Sequence, residues 1–184
     1  MNLLLLAAAL LPQETVIDFE SLPDGSPACR SCALSGQFAS LGVRFRFRSA
    51  STGDIPARLI DSSAYDPPGP PPNHSATAAL TDHGFATGIL EIRFAAPVER
   101  VLFQLRAASI VEHLVVRAYR ADGSELPETS IERTAGEYRR FTGAPFHEEK
   151  IRIADVAGIS RIELDGAGPP GHIVLLDDLR FLRS

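Results

Sequence analysis

The chain has 184 residues with 45% hydrophobic, 22% charged and 7% aromatic content, enough apolar mass for one soluble globular domain with a core of its own. A formal net charge of -5 argues against sequence-independent nucleic-acid binding, and no internal apolar run approaches the ~18 residues that would cross a bilayer. Positive charge is carried almost wholly by arginine, with Lys150 the only lysine.

Met1 to Leu11 (MNLLLLAAALL) has the length of a secretory h-region and is followed by a polar break at Pro12-Gln13-Glu14. It lacks a charged n-region and an A-x-A cleavage site, which leaves a buried first strand or helix as the competing reading. We read residues 1–14 as an export signal and 15–184 as the folded domain, so the protein is expected to be secreted, periplasmic or at the cell surface.

Cys29 and Cys32 follow in a Ser/Gly/Pro-rich stretch. A C-x-x-C pair is the signature of a redox dithiol or of half a zinc site. The first needs a βαβ setting and the second a further ligand pair, and neither is present in the sequence. A small disulfide clipping a loop of an exported protein is the better reading.

The remainder is dominated by period-two alternation. Val43, Phe45 and Phe47 alternate with Arg44, Arg46 and Arg48, and Leu90-Glu91-Ile92-Arg93-Phe94 and Val101-Leu102-Phe103-Gln104-Leu105-Arg106 repeat the pattern. Leu114 to Tyr119, Lys150 to Ile153, Arg161 to Leu164 and Ile173 to Leu182 also fit strands. Strands with one polar face are expected in antiparallel sheets packed on one side, with the arginines and glutamates on a solvated outer face. Turn signals at Pro23-Asp24-Gly25, Ala121-Asp122-Gly123 and Gly166 to Pro170 separate them. No segment holds a helical apolar period for three turns. Residues 61–83 contain Asp66-Pro67-Pro68-Gly69-Pro70-Pro71-Pro72, which lacks the backbone donors of a central strand and reads as a long stiffened surface loop, either a ligand-binding loop or a plain connector.

Five segments in order carry a resemblance: Val16 to Gly25, Gln37 to Phe45, Phe94 to Phe103, Ala118 to Gly123 and Ile173 to Phe181. Together they resemble the secreted bacterial jelly-roll domains of PEP-CTERM-type surface proteins, which are related in architecture to carbohydrate-binding modules. The resemblance implies an all-β fold, a two-sheet antiparallel β-sandwich (jelly roll), and a structural calcium between first and last strands. The sequence ends without the Pro-Glu-Pro sorting tail of that group, so simple secretion is the expectation.

If the first and last strands pair as the resemblance implies, Asp18 and Glu20 converge with Asp177 or Asp178. Asp18 and Glu20, two apart on a strand, share a face. Of the adjacent pair, Asp177 has the parity of Leu179 and Phe181 and ranks first. Several carboxylates in one place call for a cation, and Ca²⁺, which accepts 6–8 oxygens in tolerant geometry, suits them. Turn caps or arginine partners are the alternative role for the same acids.

An enzyme of this fold would need paired carboxylates across a sugar cleft, for which Glu91, Glu163 and Asp165 are the candidates. Their outward parity, the absence of Trp and a Tyr count of 3 argue against a glycoside hydrolase. His74, His83, His113, His147 and His172 show no zinc-ligand spacing. The sequence therefore reads as an exported non-enzymatic β-sandwich with a binding or surface/matrix role. Its partner would be a glycan or a cell-surface or matrix component. A carbohydrate-binding module proper, using Tyr65, His74 and Tyr138, is the alternative.

Overall fold

In the computed structural model the described residues are 13–29, 32–49, 53–61, 74–77, 79–81, 84–85, 88–108, 113–127, 131–134, 146–167 and 174–183. The export-signal segment Met1 to Leu11, with Tyr65 and Tyr138, lies outside them. The fold is nearly all β. In chain order the strands are β1 (Glu14–Ile17), β2 (Cys32–Leu34), β3 (Val43–Ser49), β4 (Gly53–Ile55), β5 (Ala57–Asp61), β6 (His74–Thr77) and β7 (Ala79–Thr81). They continue as β8 (Gly84–Phe85), β9 (Gly88–Ala108), β10 (His113–Tyr119), β11 (Ile131–Thr134), β12 (Phe146–Ala167) and β13 (Val174–Arg183). A 3-10 turn spans Ala39–Leu41. None of these elements is a helix long and apolar enough to cross a membrane.

Two long strands organise the sandwich. Residues 88–94 of β9 lie between β3 and the C-terminal half of β12, which pairs in turn with β10, and β10 with β11. Residues 98–108 of β9 lie between the N-terminal half of β12 and β13. β13 carries β1 along its C-terminal half and β6, followed by β5 and β2, along its N-terminal half. Two antiparallel sheets thus share β9 and β12, which pass from one to the other. Every pairing between the described strands is antiparallel.

The crossing point is built from residues that cannot sustain a ladder. Pro97 of β9 has no N–H to donate. On the facing strand the register slips between Ala154 and Ile159, where Gly158 adopts φ 91°. A Cβ on Gly158 would lie 2.6 Å from Cβ of Pro97, so glycine is required by both conformation and space.

The inward face of the alternating pattern forms the core as expected: Val43, Phe45, Phe47, Leu90, Ile92, Val101, Phe103, Ile151, Ile153, Ile162 and Leu164 are all buried. Phe19, Phe38 and Phe45 meet edge to face with ring centroids 5.6–6.1 Å apart, and Phe94 packs on Phe181 at 5.3 Å. Phe19 is fully buried although its φ is 60°, a conformation that a bulky residue keeps only when the surrounding packing demands it.

Two expectations are corrected. The strand signals at Leu90–Phe94 and Val101–Arg106 belong to one continuous strand, as do those at Lys150–Ile153 and Arg161–Leu164. Within residues 61–83 the backbone recovers strand geometry once the prolines end: His74–Thr77 pairs with both β5 and β13. The proline-rich stretch itself and the side chain of His74 lie outside the described residues.

Candidate functional site

The acidic constellation at the chain ends comes first. β1 does pair with β13, and the register ends on Ile17 opposite Leu179. The carboxylates of Asp18, Glu20, Asp177 and Asp178 nevertheless do not gather on a common ion. Strand geometry stops at Ile17, and the positive φ of Phe19 lies between Asp18 and Glu20, so the two no longer share a pleated face. Asp18 turns back to accept a hydrogen bond from the N–H of Glu20 at 3.0 Å. Asp178 sits in a β-bulge with φ 48°, and its N–H donates to Oδ1 of Asp177 at 2.8 Å. Among the described residues no three His, Cys, Asp or Glu side chains are placed to hold a metal ion. The alternative role, carboxylates closing local turns, describes Asp18 and Asp177 better, and no metal-dependent step is derived from them.

Cys29 and Cys32 are paired as a disulfide with Cα atoms 5.8 Å apart, at the mouth of β2.

The densest polar arrangement lies on the outer face of the sheet β3–β9–β12–β10. Strand register lines up two rows across it, Arg46–Glu91–Glu163–Arg117 and Arg44–Arg93–Arg161–Tyr119. Glu91 and Glu163 are direct cross-strand neighbours, an arrangement that repels unless cations intervene. Period-two reading puts them on the outer face, and they are there, but they are not solvated: Glu91 is 1% and Glu163 5% exposed. The long arginine stems of the flanking row and strands lie over them and exclude water.

Every oxygen of the pair is engaged. Arg93 holds Glu91 bidentately, through Nε on Oε1 and through Nη2 on Oε2 at 3.2 Å. Arg48 Nη2 donates to Oε1 of Glu163 at 2.5 Å, and the Tyr119 hydroxyl donates to Oε2 at 3.2 Å. Arg161 adds an ion pair to Glu163 at 3.4 Å and stacks its guanidinium 4.1 Å from the Tyr119 ring centre. The hydrogen bond to Glu91 binds the Arg93 proton more tightly than usual, and the bond to Asp165 at 3.0 Å does the same for Arg117. Burial, with the negative charge of Glu163 close by, pushes the Tyr119 phenol above its ordinary range.

Beside this network, at the Arg93–Arg161 row, a pocket of about 350 Å³ opens between the end of the pairing segment of β9 and the turn after β10. Arg93, Arg120 and Arg161 line it with Pro97, Ser160 and Gly123. The turn is closed by Asp122, which accepts from both N–H and Oγ of Ser124, and the same Asp-Gly-Ser device recurs at Asp24–Ser26. In both turns these hydrogen bonds lower the aspartate pKa. Sequence reasoning identified both turns and the strand segments that carry the network, but the burial of the glutamate pair and the arginine-lined pocket depend on register between distant segments and left no local signal.

No family profile matches the chain, and no curated protein matches its sequence. Solved structures do share its shape. The K2 cleaved adhesin domain of Lys-gingipain superposes with a TM-score of 0.52 at 12% identity over 92% of this chain and 99% of that one. A point mutant of a family 29 carbohydrate-binding module in complex with mannohexaose aligns at TM-score 0.44 and 8% identity, covering 94% and 93% of the two chains. A second mutant of the same module, in complex with cellulohexaose, aligns at 0.43 and 8%, covering 92% and 91%. At these identities the likeness to the adhesin domain concerns fold alone: this chain is similar to a β-sandwich domain of a bacterial adhesin.

Proposed function

We propose that the protein is an exported, non-enzymatic binding module of the kind carried by bacterial surface proteins, with a glycan of the cell surface or matrix as its ligand. The observation that supports this reading is the state of the outer face. The adjacent buried carboxylates of Glu91 and Glu163 have all four oxygens committed to Arg93, Arg48 and Tyr119, leaving none to protonate a leaving group or attack a sugar. The same hydrogen bonds stiffen a surface into which a pocket opens, and a rigid, preformed polar surface is what a binding module needs.

The test is a screen of immobilised polysaccharides and glycans, read for retention of the protein and, in the same wells, for release of reducing sugar. Retention without release supports the module. Release that disappears in Glu163→Gln would restore the hydrolase, and silence across the screen at high protein concentration would remove the glycan.

A further inference from the structure

The arginines around the pocket beside the glutamate network have a common construction. Each is anchored from behind by an acid: Arg93 by Glu91, Arg161 by Glu163, and Arg120 through Nε on Oδ2 of Asp155 at 2.8 Å. The anchoring acids are largely withdrawn from solvent, since Glu91 and Glu163 are buried and the Asp155 side chain is only 11% exposed. Among the described residues no acid lines the pocket itself. Its charged wall is therefore donor-only, and the guanidinium forks are held in place before any ligand arrives.

We propose that this pocket binds the carboxylate of an acidic sugar, gripped by the guanidinium groups of Arg120 and Arg161 with Arg93 at the rim. The inference rests on the binding-module reading and names its ligand class. A planar guanidinium presents parallel N–H groups that match the two oxygens of a carboxylate, and such charge-assisted pairs are the strongest hydrogen bonds available to a surface site. A compact sugar unit fits better than an acidic peptide for two reasons. The volume, about 350 Å³, is at the small end of the ~300–1,000 Å³ range of ligand pockets. Arg93 and Arg161 pair with each other and, on their other sides, with Arg44 and Tyr119, so the arginine row offers no open backbone edge to an added peptide strand. Pro97 and the exposed turn residue Ala121 supply the apolar contact for the sugar ring.

The experiment compares a galacturonic acid trimer with its methyl ester, which has the same shape without the charge, by calorimetry and by NMR of the arginine Nε–Hε resonances. The acid is expected to bind more tightly than the ester by about tenfold or more, with the difference shrinking at high salt. Ala121→Glu, placed at the exposed mouth of the pocket where it costs the fold nothing, is expected to abolish binding of the acid while leaving the melting temperature unchanged. Arg120→Gln should weaken it about tenfold, with Arg120→Lys recovering part of the loss. Equal binding of acid and ester, indifference to Ala121→Glu, or absence of any arginine shift with the acid at millimolar concentration overturns the proposal. Binding of a glutamate-rich peptide without the trimer overturns it also. If the glycan screen is silent yet glucuronate alone still shifts Arg120 and Arg161, the module reading falls and the carboxylate pocket stands.

Discussion

Replacing Glu163 with glutamine isolates what the buried acid contributes. The side chain keeps its shape and its contact with Tyr119 but loses the charge that faces Arg48 and Arg161. Removing one partner of a fully buried ion pair costs about 3–5 kcal/mol. Here the stranded arginine side chains are 39% and 28% exposed and recover part of their hydration, which brings the expected loss to about 2 kcal/mol. Glu91→Gln is the matched control. Its bidentate partner Arg93 is 51% exposed and can turn to water, so the expected loss is about 1 kcal/mol although Glu91 is the more buried acid. For a chain of this size each kcal/mol moves the melting temperature by about 2–4 °C, so calorimetry should show decreases of about 4–8 °C and 2–4 °C respectively. Arg48 touches both acids, with Nε 4.0 Å from Glu91 and Nη2 on Glu163, so after one is neutralised it can lean on the other. The double variant should therefore lose more than the sum of the singles, by about 0.5 kcal/mol or more. If Glu91→Gln proves the costlier change, or the two losses simply add, then partner exposure does not govern the network and the reasoning is wrong.

The remaining predictions use other parts of the molecule. Tyr119 is shifted upward first by burial and then by the charge of Glu163, so the folded protein holds this proton more tightly than the unfolded chain. Its contribution to stability is complete below pH ~10 and is lost as pH rises through the folded value, and ultraviolet titration should show one tyrosine ionising late, a step removed by Tyr119→Phe. Asp24 and Asp122 are shifted the other way by Ser26 and Ser124, so their contribution is present above pH ~3.8 and lost on acidification through the folded value; NMR titration should find both carboxyls below the usual aspartate midpoint, and Ser124→Ala should bring Asp122 back up. Gly158→Ala should cost about 1–3 kcal/mol in urea unfolding, since φ 91° and the nearby Pro97 both oppose a Cβ, while Ala157→Ser beside it should be neutral. Melting in millimolar calcium and in chelator should coincide, because Asp18 and Asp177 are engaged in local turns; a chelator-induced drop would point to a bound ion.

Alternation in the sequence carries far. Val43, Phe45 and Phe47 point inward from β3, with Arg44 and Arg46 outward, as their spacing requires, and the Asp-Gly turns fall where the composition places them. What period-two reading cannot see is where a strand ends when the ladder is interrupted but the chain runs on. Pro97 and Gly158 look like terminators, yet opposite each other they make a matched irregularity through which β9 and β12 continue. The same limit applies to the carboxylates at the chain ends. Parity assigns Asp18 and Glu20 to one face only while φ stays extended, and the left-handed turn at Phe19, imposed by the packing of its ring against Phe38 and Phe45, is a tertiary effect. The side chains of Tyr65, His74 and Tyr138 lie outside the described residues.

The outer face shows why polarity in a pattern does not imply solvation. An outward glutamate in mid-sheet, flanked by arginines on its own and both neighbouring strands, has no route to water that the guanidinium stems do not cross. Its burial is affordable only because each oxygen finds a donor, and the donors are then no longer free to move. The consequence passes outward by one layer: arginines whose inner nitrogens are fixed on acids hold their guanidinium planes at the surface with little rotamer entropy left to lose. A ligand carboxylate arriving at Arg120 and Arg161 then meets donors already arranged, which is the physical link between the buried glutamate pair and a binding role for the face above it.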